Sequence, residues 1–176
     1  MTLKTSIAAI LLSALPAMAQ HSHSQHGDEG VTETGQAQFA SIAQIVRVLR
    51  SDSSTEWGKV DIQALRDHLV DMDNVTTRSN VVVQADGRSV LFMVTGDATV
   101  APSIQRMVTA HAPMLAKKTG WSVTPSLIAD GATMKITTPE SASRKQVIGL
   151  GFYGVMTIGA HHQDHHYMIA LGKSPH

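Results

Sequence analysis

Residues 161–168 read His-His-Gln-Asp-His-His-Tyr-Met, four imidazoles and a thioether within eight positions. On a helix, His161, His165 and Met168 share one face, because residues three and four apart are neighbours. His162 and His166 form a second pair, turned about 100° around the axis. Imidazole with thioether is a soft to borderline donor set, which suits copper and Cu(I) especially. Asp164 is the one carboxylate in the cluster, so a hard site for calcium or magnesium is not expected. No H-E-x-x-H string marks a zinc protease.

Two further segments carry the same residue types at helical spacing. Met107, His111 and Met114 stand at 0, 4 and 7 of one face, and His68 and Met72 stand at i, i+4. Asp67 and Asp71 flank that second pair and are placed to orient an imidazole through its other ring nitrogen. Pro113 interrupts the first. If the helix continues through it, the carbonyl of Thr109 is freed. If the helix ends there, the 0, 4, 7 face dissolves. Each lone His or Met has a plainer reading as a core residue. The 161–168 cluster is harder to explain that way, since four close imidazoles repel one another once protonated.

The chain has no cysteine, which excludes disulfides, thiolate metal sites and covalent haem through C-x-x-C-H. Residues 1–19 have the form of an export signal: Lys4, an apolar run from Ile7 to Leu15, and Ala17-Met18-Ala19 before Gln20. That run is too short to span a bilayer, so a periplasmic protein that is not integral to the membrane is expected. Residues 20–35 lack periodicity and read as a disordered tail. Cleavage after Ala19 would set His21 and His23 near a new N-terminus, where they and His26 form a secondary locus for capturing metal. Lys+Arg and Asp+Glu are both 14, a balance that gives no footprint for nucleic acid.

Residues 36–176 are expected to form a single α+β domain. A first helix spans about 36–50, with an apolar stripe of Phe39, Ile42, Val46 and Leu49. A second starts at Asp61 as N-cap, with Val60 stapling onto Leu65, and buries Ile62, Leu65, Leu69 and Met72. Asn80–Gln84 and Ser89–Val94 read as strands joined at Asp86-Gly87. A helix opens near 101, where Pro102 suits the first turn. Trp121–Ile128 and Thr133–Thr138 repeat the hairpin around Asp130-Gly131, and a last helix opens after Pro139-Glu140. The Ala-Asp-Gly strings at 85–87 and 129–131 lie 44 residues apart, so an internal repeat is expected. The fold is two N-terminal helices followed by two strand–turn–strand–helix units, forming a four-stranded antiparallel sheet covered by helices. Gly149, Gly151, Gly154 and Gly159 weaken the last helix. Either a partner helix or flat ligand approaches closely there, or the helix breaks near Gly159 and resumes at the histidines.

His161-His162-Gln163 followed by Met168 resembles the H-H-Q-x4-M helix motif of a family of exported bacterial proteins. That family is a domain of unknown function with a ferritin-like helical bundle, and some members are linked to copper. The motif covers eight residues, and this chain departs from the all-helical family by its two hairpins. The resemblance implies that this helix carries copper through His161, His162 and Met168.

These features converge on a periplasmic transition-metal binding protein, with copper as its ion, for sequestration or delivery. A metal-handling partner or self-association would accompany that role. One alternative is non-covalent haem held by one His and one Met for electron transfer or sensing, although two Trp, two Tyr and three Phe offer few pocket walls. Another is a non-catalytic interaction module whose histidines respond to pH. An enzyme is not expected, because nothing marks a nucleophile or general base.

Overall fold

A computed structural model describes residues 37–159 and 162–173, the side chains of 162 and 163 excepted. The leader and tail expected over 1–35 lie outside the described residues. The elements are α1 (Ala37–Ser51), α2 (Ile62–Arg78), β1 (Asn80–Asp86), β2 (Ser89–Thr95), α3 (Ala101–Thr119), β3 (Ser122–Ile128), β4 (Gly131–Thr137), α4 (Ser141–Val155) and α5 (His162–Ala170), with a short 3₁₀ turn at Trp57–Lys59. The fold is α+β, with one four-stranded antiparallel sheet in the order β1-β2-β4-β3.

Alternation builds the sheet. Val90, Phe92 and Val94 of β2 face Ile136, Met134 and Ala132 of β4 across the central pair, and all six are fully buried. The intervening side chains, such as Leu91 opposite Lys135, point to the other face. α3 covers the inner face with Ile104, Val108, Ala112 and Leu115, and α4 adds Val147, Phe152 and Val155. Pro102 lies in the first turn of α3, and Gly120 closes that helix in a left-handed conformation with its N–H on the carbonyl of Ala116. Pro113 lies inside α3, which runs on through it.

The two Ala-Asp-Gly strings do not do the same work. In the first hairpin Asp86 still pairs with Ser89, and the two-residue loop is Gly87-Arg88, with Gly87 at φ 52°. In the second, Ala129 and Asp130 make the loop, and Gly131 already pairs with Ile128. The expected turn centre at Asp86-Gly87 is therefore one residue early. At 131 the glycine serves sheet packing: a Cβ there would run into the carbonyl oxygen of Val94 on β2.

A second apolar cluster lies apart from the sheet. Ile45 and Leu49 of α1, Leu65 and Leu69 of α2, and Ala170 of α5 are buried together, with Val60, Met72, Tyr167 and Ile169 packed against them. Asp61 caps α2 as expected, accepting the N–H of Ala64 at 2.8 Å. The stripe of α1 differs from expectation: Phe39 is 63% exposed, and Ile45 takes the buried place. Both sets step by three and four, so periodicity alone does not choose between them; packing against α2 and α5 does. α2 joins the two clusters, since Leu65 and Leu69 belong to this one and Val75 to the sheet core.

The glycine-rich helix breaks. Gly151 has φ 61° and ψ −176°, which interrupts α4, and Gly159 has φ 77° before α5 begins. Positions 149 and 151 have no atom within 4 Å of where a Cβ would stand. No neighbouring helix among the described residues approaches these two glycines; at 151 the glycine permits a backbone reversal.

Replacing Gly131 with Ala forces β2 and β4 apart at Val94. Urea unfolding is expected to show a loss of about 2–4 kcal/mol, and unchanged stability would contradict the close approach.

Candidate metal centre

α5 returns across α2, and this return assembles the site. The apolar residues Tyr167, Ile169 and Ala170 anchor α5 in the second cluster, and the N–H of Asp61 bonds the carbonyl of Ala170 at 2.8 Å. His165 and His166 stand one turn before Ile169 and Ala170 on the same faces of α5, and are thereby held against His68 of α2. The ring centroids of His68 and His165 are 4.7 Å apart, those of His68 and His166 5.5 Å, and those of His165 and His166 6.2 Å. His166 is buried, with 4% exposure, while His68 and His165 are half-buried. Imidazoles sharing one ion at metal–nitrogen distances near 2.0–2.1 Å would have centroids about 5–5.5 Å apart. The triangle brackets that spacing.

The rings are spaced for an ion without being aimed at one. Among the described residues, no three His, Asp or Glu groups are placed to hold a metal together. Interplanar angles of 49–66° tilt the rings against one another. Turning an imidazole about its last torsion is inexpensive, because that torsion is broad. Loading therefore needs side-chain rotation, with the backbone already in place.

Thioethers lie close by. A cleft of about 470 Å³ is lined by Met114 of α3, Gly159, and Asp164, His165 and Met168 of α5, with Lys117 and Lys118 beside them. A neighbouring cleft of about 770 Å³ holds His68, Met107, Asp67 and Asp71. His165, His166, Met168, His68 and Met114 are thus gathered around one seam. Met107 lines the second cleft but packs against the sheet core, and Met72 packs into the second apolar cluster. His111 turns inward, is 6% exposed, and donates from Nε2 to the carbonyl of Val155 at 3.1 Å. That bond turns the ring toward α4, and His111 lines neither of the two clefts. His161, His21, His23 and His26 lie outside the described residues, and of His162 only the helical backbone is described.

The largest contribution missed from the sequence is polar. Asp71, expected to orient an imidazole, instead accepts Arg106 through both oxygens, Nε at 2.7 Å and Nη2 at 2.6 Å. It also accepts the hydroxyl of Ser103 at 2.8 Å, and Asn74 donates to that hydroxyl oxygen at 3.0 Å. Burial alone would raise the pKa of Asp71; the bonds from Arg106 and Ser103 and the charges of Arg106 and His68 outweigh it, and the pKa is lowered. Asp67, the other expected partner, accepts Gln63 and Arg66 at 2.8 Å each. No local spacing marks the bond between Asp71 and Arg106. The pairing spans 35 residues and cannot be read from spacing.

Because the folded pKa of Asp71 lies below its ordinary value of 3.8, its contribution to stability is present above that pH and is lost as pH falls through the lowered value. Asp71→Asn is expected to cost about 1–3 kcal/mol near pH 7, measured by urea unfolding. The gap to the unsubstituted protein should close on acidification, and a gap independent of pH would contradict this account. Comparison with protein-family models, with curated proteins and with solved structures finds no match for this chain.

Proposed function

We propose that this chain binds a soft transition-metal ion, copper above all, for sequestration or delivery in the periplasm. The observation that carries the reading is the triangle of His68, His165 and His166, drawn from two helices far apart in sequence, whose ring separations of 4.7, 5.5 and 6.2 Å bracket the spacing of imidazoles around one ion. Met114 and Met168 supply thioethers at its edge, and with no cysteine in the chain they are the softest donors available. His161 and His162 are candidates for a second locus, and His21, His23 and His26 for a capture arm. The half-burial of His68 and His165 suits an exchangeable cargo, since a partner can reach donors that a fully closed cage would hide. No described helix is long and apolar enough to cross a membrane, in keeping with a role that does not require one.

Competition titration against a chromophoric copper chelator tests the reading. His68→Gln with His165→Gln is expected to weaken copper binding by about tenfold or more. Unchanged affinity after replacing His68, His161, His162, His165 and His166 together would overturn it.

A further inference from the structure

We infer that His165 is shared by two alternative ligand sets of different softness, so that the centre sorts copper by oxidation state. The inference rests on the copper reading above. With Met114 and Met168, His165 forms a thioether-rich set for the monovalent ion; with His68 and His166, it forms an imidazole set for the divalent ion.

Helix geometry puts His165 at the boundary. Met168 follows it by three residues and so lies on the same face of α5. Met114 reaches that face from α3, and all three side chains line the cleft of about 470 Å³. His166, one residue on, is turned about 100° away and stands 5.5 Å, ring to ring, from His68. The ring of His165 meets His68 at 4.7 Å while still lining the methionine cleft. One imidazole thus has thioethers on one side and imidazoles on the other.

Donor chemistry separates the two sides. Thioether sulfur favours Cu(I), whereas nitrogen ligands accommodate Cu(II). The surrounding charge acts in the same direction. The methionine cleft is lined by Lys117 and Lys118 against the single carboxylate of Asp164. Beside His68, Asp71 is paired with Arg106 and Asp67 with Arg66, so that cleft carries no comparable excess of positive charge. A net positive lining repels a divalent ion twice as strongly as a monovalent one at equal distance, so the methionine cleft favours the monovalent state. Because both sets need His165, one ion occupies the centre at a time, and binding of either state excludes the other.

The test uses the exported chain with His21, His23, His26, His161 and His162 replaced by Ala, so that neither the tail nor the second locus contributes. Cu(I) affinity is read anaerobically by chelator competition, and Cu(II) affinity by competition with its paramagnetic resonance spectrum as a second readout. Met114→Leu with Met168→Leu conserves volume and is expected to weaken Cu(I) by about tenfold while moving Cu(II) by less than about twofold. His68→Gln is expected to do the reverse, and His165→Gln to weaken both. The inference is overturned if the double leucine variant keeps its Cu(I) affinity, if either variant weakens both states equally, or if Cu(I) and Cu(II) load together. A chain that binds neither ion overturns the copper reading itself.

Discussion

The bidentate bond between Asp71 and Arg106 pins α2 to α3 where the two apolar clusters of the structure meet. One is a sheet with α3 and α4 on its inner face; the other is the helical cluster of α1, α2 and α5. α2 belongs to both through its apolar side chains, and Asp71 sets its register on α3 through Arg106 and Ser103. The carboxylate side chain is 13% exposed and the guanidinium 62%. That asymmetry is favourable, because only one partner is taken from water while the other stays hydrated. His68 stands one turn before Asp71, so the bond that docks the two clusters also sets the height of that imidazole along the seam.

The remaining imidazoles depend on α5, which is only nine residues long. A helix so short is not stable by itself. Its apolar residues hold it in the second cluster, and the breaks at Gly151 and Gly159 let the chain turn back far enough to reach α2. The glycines that weaken the last helical segment are therefore what permits its histidines to arrive at the site. Tyr167, Ile169 and Ala170 bury α5 beside α2, and the seam between the two apolar clusters becomes the place where donors collect.

Much of this was legible in local patterns. The fold class, the order of helices and strands, the Asp61 cap, and the two hairpins followed from periodicity and turn residues. The same patterns nominated His68, His165, His166, Met168, Met107 and Met114 as candidate ligands. Where several stripes have the same spacing, as on α1, the pattern could not choose Ile45 over Phe39. The identical Ala-Asp-Gly strings also concealed different turns, because a two-residue shift in register leaves the local signal almost unchanged.

The sequence by itself determined which chemistry is available: imidazoles, thioethers and no thiol, on helices that bury one face. Those are properties of residue type and of spacings within a few positions, where backbone geometry is the only constraint. Only the tertiary structure decided which of these groups meet. His111 and His165 each sit on a His/Met helix face with the same 0, 4, 7 spacing, yet one bonds a buried carbonyl and the other faces His68 and Met114. The difference lies in what covers each helix, a matter of contacts between segments dozens of residues apart, which no local period encodes.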